Sequence, residues 1–370
     1  MSLRDRLSQA TAPANLNRLF TKFGFEGNPF PASSQTTDNP HRRSASDEAV
    51  DQKIESFVRD HKTQVIVIEG SQGVGKTNIL NYYERELRDV LPTLGGFYVV
   101  RYLADPESSF DSILRRLFQE LGNDHLRSLG EALNANPAKA DEAIEQARNY
   151  EVRIALRKLA TSNAAQPVVE ALHEWFMGLR LLKLHREILG VNFRLDTVEA
   201  KTAAFRDLVQ ASSTMGLLNG VFLLLDELEK QDGVLSATAV ARYLSSMRAI
   251  IDALPNHLFM MLAVTPDALR RYSLALPAFR SRLENRIELQ PLLSVDDALE
   301  LARFYVNEAR TNAQKVHGKK GGSADILDDA QIAETFSSYL DRAKRRNDTG
   351  LRQREFLSAL HELAEAQLRL

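Results

Sequence analysis

Two hydrophobic periods run through this chain, and the points where one gives way to the other divide it into elements. Predominantly apolar runs bounded by turn residues occur at 64–68, Phe97–Leu103, 221–225 and Leu258–Val264, and a shorter segment at 286–289 alternates charged and apolar residues. Their length and their β-branched and aromatic content predict buried strands. Between them the apolar residues recur at helical spacing. Val50, Ile54, Phe57 and Val58 predict a helix over about 46–61, and Phe110, Ile113, Leu114, Leu117 and Leu121 predict another. Further helices are expected at 78–83 and at about 236–253. Strands alternating with helices imply a mostly parallel sheet covered on both faces. From about 122 to 218 no strand is expected, because Ala, Leu, Arg and Glu follow a helical period throughout. Within that stretch Leu172, Trp175, Phe176 and Leu179 form one apolar stripe, with the tryptophan read as core. Ser294-Val295-Asp296-Asp297 is a helix N-cap pattern, and from there the chain reads as helix, broken by the Gly-Lys-rich loop at 318–323. Residues 1–23 read as an amphipathic arm. Residues 24–45, with Pro29, Pro31 and Pro40 among Ser, Thr and Asn, read as an irregular loop.

Composition narrows the function classes. A 370-residue chain that is 44% hydrophobic can bury a sizeable core, as one large domain or two modest ones. Its net charge of −2 gives no global reason to expect nucleic acid, so a polyanion would need a local patch. Lys319, Lys320, Arg342, Lys344, Arg345 and Arg346 offer one, with a solvated helix face as the competing reading. The absence of cysteine excludes disulfides and thiolate metal sites. The first twenty residues carry no apolar stretch of signal-peptide length, and no apolar run approaches the roughly 20 residues of a membrane span. A soluble, cytoplasmic protein with no membrane partner is the expectation.

One octet carries most of the chemistry. Gly70-Ser71-Gln72-Gly73-Val74-Gly75-Lys76-Thr77 fits G-x-x-x-x-G-K-[ST], the phosphate-binding P-loop. Glycines at those positions let backbone N–H groups point into an anion-sized hollow. Lys76 reaches the β and γ phosphates of a nucleotide, and the Thr77 hydroxyl ligates Mg²⁺. A predicted strand runs into the loop, and a predicted helix, starting about Asn78, leaves it with its positive end toward the anion. ATP and Mg²⁺ are therefore the expected cofactors. The strand at 221–225 ends in Asp226-Glu227, and ligands of open parallel sheets sit beyond the carboxyl ends of the strands. Asp226 is the candidate Mg²⁺ ligand, and Glu227 the candidate base that polarises an attacking water. Glu229 reads either as a residue supporting that acidic pair from behind or as a surface partner of Lys230. The next strand ends in Thr265, a candidate to sense the γ phosphate. Arg280, Arg282 and Arg286 crowd one short segment; arginines this dense are commonly solvated, but a permanent charge on a long stem is also what an arginine finger needs.

Taken together these segments resemble the AAA+ ATPases, nearest to the origin-recognition-like clade and to the BREX-type anti-phage ATP-binding proteins. The resemblance covers roughly 24–121 and 216–370. Gly24-Phe25-Glu26-Gly27-Asn28-Pro29-Phe30 is similar to the segment that lies near the adenine in several relatives, which implies nucleotide contacts for Asn28 and Phe30. Leu224-Leu225-Asp226-Glu227-Leu228-Glu229 is similar to the BREX-type Walker B sequence, and Thr265 falls at sensor 1. Ser281-Arg282-Leu283 resembles the box that supplies an arginine finger to a neighbouring subunit, with Arg282 the first choice and Arg280 the second. The segment 350–357 resembles the one that carries the sensor 2 arginine, with Arg354 the best fit. Gln353 stands where relatives often have proline, and Thr265 where many have asparagine. The stretch 122–218 is a long insertion relative to the family.

The resemblance implies an α/β P-loop fold of three layers, with a helical insertion at 122–218 and a C-terminal helical lid. It implies residues 1–45 as arm and adenine-side loop, 46–292 as nucleotide-binding domain and 293–370 as lid. The expected function is an ATPase that forms a homo-oligomeric ring or filament and acts on DNA or a DNA-processing partner, in anti-phage defence among other settings. The insertion is the expected site for a protein partner. The alternative is an ATP-switched scaffold that assembles around a separate effector such as a nuclease or deaminase. A GTPase would show Asn-Lys-x-Asp on a late strand, and the chain has none.

Overall fold

The computed structural model describes residues 19–32, 39–103, 109–231, 235–317 and 324–368. Most of the predicted amphipathic arm, part of the loop that follows it, and the 318–323 loop with Lys319 and Lys320 lie outside the described residues. The chain forms two compact units that do not follow chain order. One gathers residues 1–44, 70–82 and 288–370; the other gathers 45–69 and 83–287.

The larger unit is built on a sheet. Its strands are β1 (Gln64–Glu69), β2 (Phe97–Leu103), β3 (Gly220–Asp226), β4 (Leu258–Val264) and β5 (Asn285–Glu288), in the order β2-β3-β4-β1-β5. The pairs β2/β3, β3/β4 and β4/β1 are parallel. Every residue of β3 and β4 is buried, as the continuous apolar runs require of strands covered on both faces. Alternation separates the two faces. Val221, Leu223 and Leu225 join a core with Phe110, Leu114 and Tyr243. Phe222 and Phe259 turn the other way, their rings 5.1 and 5.4 Å from that of Phe57. Phe57 lies on α1 (Ala45–Asp60).

Between β2 and β3 the described residues form six helices: α3 (Phe110–Ala135), α4 (Pro137–Glu145), α5 (Tyr150–Thr161), α6 (Gln166–Phe176), α7 (Lys183–Leu189) and α8 (Val198–Thr214); α2 (Lys76–Leu94) precedes them. The insertion begins at a visible break, because Gly122 inside α3 has φ 67° and ψ −175°. Trp175 is core, as read, with the Phe118, Phe176 and Phe205 rings grouped beside it. Leu179 departs from its expected place. The helix ends at Phe176, Gly178 takes φ 69°, and Leu179 turns outward.

A buried histidine ties the insertion to the sheet. His125 on α3 bonds through Nδ1 to the Tyr98 hydroxyl of β2, and through Nε2 to Ser212 Oγ of α8, both at 2.8 Å. Burial pushes its pKa from 6.5 down to about 4. The folded chain thus favours the neutral imidazole. The stability this contributes is complete above pH 6.5 and is lost as pH falls toward about 4, to a total on the order of 3 kcal/mol. Urea titrations across that window are expected to show a falling midpoint in the wild type and a shallower fall in His125→Gln. Parallel pH dependence in the two proteins would remove His125 from this role.

After β3 come α9 (Ala237–Ala253), α10 (Pro266–Ala275) and α11 (Pro277–Arg280). The smaller unit holds α12 (Val295–His317), α13 (Asp329–Arg345) and α14 (Gln353–Gln367). The Ser294 cap is formed: Ser294 Oγ accepts from Asp297 N–H, and Asp297 Oδ2 accepts from Ser294 N–H, both at 3.1 Å. Phe20, Phe25 and Phe30, each at most 2% exposed, complete this core with Tyr305, Phe336 and Phe356. Among the described residues no helix is long and apolar enough to cross a membrane.

Candidate nucleotide-binding site

The octet that begins after β1 leads directly into α2. Gly73 has φ 84°, a left-handed value that a side chain resists. Gly70 is required for a different reason: a Cβ there would fall 2.6 Å from Val74 Cγ2, and Val74 is buried. The Lys76 side chain is almost fully buried, and its ammonium donates to the carbonyls of Gly70 (2.9 Å) and Ser71 (3.2 Å). A single cation is thus held at the mouth of the loop, where the first N–H groups of α2 have no intrahelical acceptor. Asn78 on the first turn of α2 donates to Pro40 O at 3.1 Å, and the Tyr82 ring lies 4.7 Å from that of His41. The segment around Pro40 therefore runs along the start of α2.

The entrance to α14 meets the loop from the other side. A two-way backbone bridge between Leu292 and Leu351, 2.9 Å each way, sets the position of the residues that follow. Arg354 N–H donates to Gly73 O at 3.1 Å. A cavity of about 390 Å³ is lined by Gln72, Gly73, Tyr339, Arg352 and Arg354, among others. Arg352 is occupied by Asp348 at 3.1 Å. The exposed Arg354 side chain makes no hydrogen bond or ion pair among the described residues. Of the two arginines beside the loop, Arg354 is therefore the one able to meet an incoming anion without breaking an existing contact.

Asn28 and Phe30 have packing tasks in this unit. Asn28 donates to His361 O at 2.9 Å and accepts from Phe30 N–H at 3.1 Å, and Phe30 O is bonded to His361 Nδ1 at 2.7 Å. The Phe30 ring is core. The segment is pinned to α14, and its side chains are spent on that pinning.

In the larger unit the sheet register levels the strand ends. Leu225 pairs with Leu262, which pairs with Val67, so Asp226 stands level with Ile68, two strands away. Two strand spacings are about 10 Å. Thr265 follows Val264, the partner of Glu69, on the strand between them. Asp226, Thr265 and the residue before Gly70 thus share one edge of the sheet.

Asp226 is 1% exposed and fully engaged. Oδ2 accepts from Arg101 Nη2 of β2 at 2.7 Å, and Oδ1 accepts from Glu227 N–H at 2.8 Å. Arg101 also lies 3.7 Å from Glu84 of α2. Glu227 has φ 55°, an uncommon value for a residue with a side chain. Its carboxylate is paired with Lys230. The expected pairing of Lys230 with Glu229 is thus replaced by one with Glu227, because the turn at Leu228–Gln231 brings i and i+3 together. Thr265 Oγ1 accepts from Ala268 N–H at 3.4 Å, which makes it the N-cap of α10.

The arginine segment divides. Arg282 Nε donates to Asp252 Oδ1 at 2.8 Å, and Asp252 also pairs with Arg248. Arg280 is exposed and makes no hydrogen bond or ion pair among the described residues. It lines a shallow cleft with Pro277, Glu284 and Arg286. At the end of α13, Arg346 is taken by Glu355 (2.7 Å), and Arg342 lies over the Tyr339 ring.

Sequence reading did not single out Arg101 or Asp252, and met Lys230 only as a partner for Glu229. Arg101 had a usable signal, since a lone charge inside an otherwise apolar strand needs a buried partner. Asp252 had none.

No protein-family model and no curated protein matches the chain. Two solved structures of the ORC2 protein of Aeropyrum pernix are similar to it. One, of ADPNP–ADP complexes, has a TM-score of 0.43 at 13% identity, over 91% of this chain and 72% of that one. The other, an ADP form, has a TM-score of 0.38 at 12% identity, over 90% and 73%. Likenesses this distant carry no weight for function, and the chain's own geometry defines its fold. It is an α/β protein with a five-stranded sheet, a P-loop between β1 and α2, a helical insertion between β2 and β3, and helices at its C-terminal end.

Proposed function

We propose that this chain is an AAA+ ATPase that binds ATP with Mg²⁺ at the P-loop and hydrolyses it at the interfaces of a homo-oligomer. The observation that carries the reading is the pairing of Lys76, inside a correctly folded octet, with the uncommitted Arg354, whose backbone is tied to Gly73. One cation within an N–H-lined loop and a second beside it suit a polyphosphate. Gln72, Val74 and Gly75 shape that loop, and Asn78 holds its flank. The adenine side falls to the segment that Asn28 and Phe30 anchor.

Thr77 and Asp226 offer hard oxygen donors, the type Mg²⁺ takes. Among the described residues no group of three or more acidic or histidine side chains forms a cage of its own, which suits an ion held chiefly by phosphate oxygens. The ion when bound neutralises charge on the β and γ phosphates. Glu227 orients and deprotonates the attacking water, and the Thr265 hydroxyl reads the γ phosphate. Arg282 or Arg280 reaches a neighbouring subunit's nucleotide. Of the two, Arg280 needs to break no ion pair to do so. DNA or a DNA-processing protein is the proposed target, a bacterial anti-phage system the proposed setting, and the insertion the proposed partner site.

The test is a mixing experiment. Arg280→Ala/Arg282→Ala subunits keep the pocket, and Lys76→Ala subunits keep the finger. Specific ATPase activity of the wild type should rise with protein concentration, and mixing the two inactive variants should recover activity. Activity that is independent of concentration, with a fully active arginine variant, rules out a shared site.

A second reading has support of its own. Asp226 and Glu227 are each paired with a cation, Arg101 and Lys230. A chain whose catalytic acids rest in ion pairs suits an ATP-switched scaffold that assembles around a separate effector and hydrolyses slowly. ATPase rates with and without duplex DNA separate the two: strong stimulation favours the first, and nucleotide-dependent assembly without DNA binding favours the second.

A further inference from the structure

We propose that the strap at 178–197, which joins α6 to α8 and contains α7, is a docking surface for an acidic amphipathic helix of a partner protein. The inference rests on the reading of the insertion as a partner module and is independent of the ATP site.

The strap is fastened from beneath. The buried carboxylate of Glu151 accepts from Asn192 N–H at 2.6 Å, and the Trp175 indole N–H donates to Phe193 O at 2.9 Å. Arg194 Nε donates to Gly178 O at 3.0 Å, which draws 193–194 beside 178–179. His185 is paired with Glu174 at 2.9 Å. Lys201, 1% exposed, lies under Gly178 and is paired with Asp111. Such anchoring holds a segment in one shape before any partner arrives.

What this fixed backbone displays is apolar. Phe193 is 71% exposed, Leu184 59%, Leu182 48% and Leu179 46%, with Tyr150 next to the anchoring Glu151 at 68%. A strap serving only to cover the insertion's core would present polar side chains outward. Large apolar groups gathered on an ordered surface mark a contact site.

The charges on the same strap name the partner's chemistry. Arg180 and Arg186 are exposed and have no hydrogen bond or ion pair among the described residues, and Arg194 bonds only a carbonyl. Elsewhere in the insertion Arg127 is paired with Asp124, Arg153 and Arg157 with Glu145, and Arg206 with Asp207, and only the exposed Arg148 has no side-chain partner among the described residues. Unpaired guanidinium groups suit carboxylates, which they bind in two-point fashion. Duplex DNA is bound chiefly through its phosphates by Lys and Arg, and four exposed apolar side chains add nothing to that contact. Within the strap Glu187 is paired with Lys183, so Arg180 and Arg186 outnumber Asp196, the acid left without a partner among the described residues. The strap contains no strand whose edge a partner would extend, and an apolar face flanked by guanidinium groups matches an amphipathic helix that carries acids beside its apolar stripe.

The test is selection from a displayed library of helix-forming peptides on the full-length wild-type chain. A folded Arg180→Glu/Arg186→Glu/Phe193→Ser variant serves for counter-selection, its fold checked by thermal melting and by unchanged ATP-analogue binding. The expected result is enrichment of peptides with an apolar stripe and Asp or Glu beside it. A synthesised winner should bind the wild type saturably and the variant at least tenfold more weakly. It should lose binding when its acids are changed to Lys. No enrichment, enrichment without acidic bias, or equal binding to the variant overturns the proposal. So does strap-dependent binding to phosphatidylserine vesicles or duplex DNA in place of the peptide. Loss of ATP-analogue binding by the wild type itself would instead count against the nucleotide site and leave the strap result standing.

Discussion

Lys76→Ala is expected to lower ATP affinity by about 10²-fold or more. The ammonium is held at the loop mouth by the carbonyls of Gly70 and Ser71. A polyphosphate would take its place among those contacts and receive charge-assisted hydrogen bonds worth about 1.5–3 kcal/mol each, so losing two costs on the order of 3 kcal/mol. Arg354, whose backbone N–H donates to Gly73 O, retains part of the attraction, which makes the Lys76→Ala/Arg354→Ala pair weaker still. Removing Lys76 also takes away the donor to two loop carbonyls, so thermal melting must accompany the titration. Titration with a fluorescent ATP analogue decides the matter: a folded Lys76→Ala chain that binds as tightly as the wild type places the nucleotide elsewhere.

Glu227→Gln is expected to leave ATP binding intact and slow turnover by about 10²-fold or more, the range lost with a general base. Glutamine keeps the size and hydrogen-bonding reach of the side chain and loses only its basicity. The backbone argues for a functional role, because Glu227 holds φ 55° at the end of β3, where an ordinary strand exit needs no such value. Its ion pair with Lys230 adds a second expectation. Lys230→Ala frees the carboxylate and should hold or raise the basal rate. Single-turnover assays on both variants provide the check, and near-normal turnover in Glu227→Gln would return Glu227 to an ordinary strand-end acid.

The division between what was legible and what was not follows the range of the interactions. Local period and local caps were enough for the five strands, for α1, α2, the start of α3 and α9, for the Ser294 cap and for the P-loop, but not for α10 and α11, where no helix was expected. Each depends on residues within a few positions of one another, and a buried parallel strand must be apolar throughout. Trp175 was placed in the core by the same reasoning. Leu179 was misread because the helical stripe predicts an inward face only while the helix lasts, and Gly178 ends it over the buried Lys201. The unseen pairs are distant in sequence: Asp226 with Arg101 across two strands, Arg282 with Asp252, and Asn28 with His361 from opposite ends of the chain. A periodic pattern carries no information on which charge meets which. The sequence by itself determined the strand–loop–helix phosphate motif and the residue types it presents. Only the tertiary structure decided that Asp226 rests on Arg101, that Arg280 is unpaired while Arg282 is not, and that the strap turns Leu179, Leu182, Leu184 and Phe193 outward beside the unpaired Arg180 and Arg186. Those outcomes depend on which segments packing brings within a few ångströms, and burial then makes each unpaired charge costly enough to choose a partner.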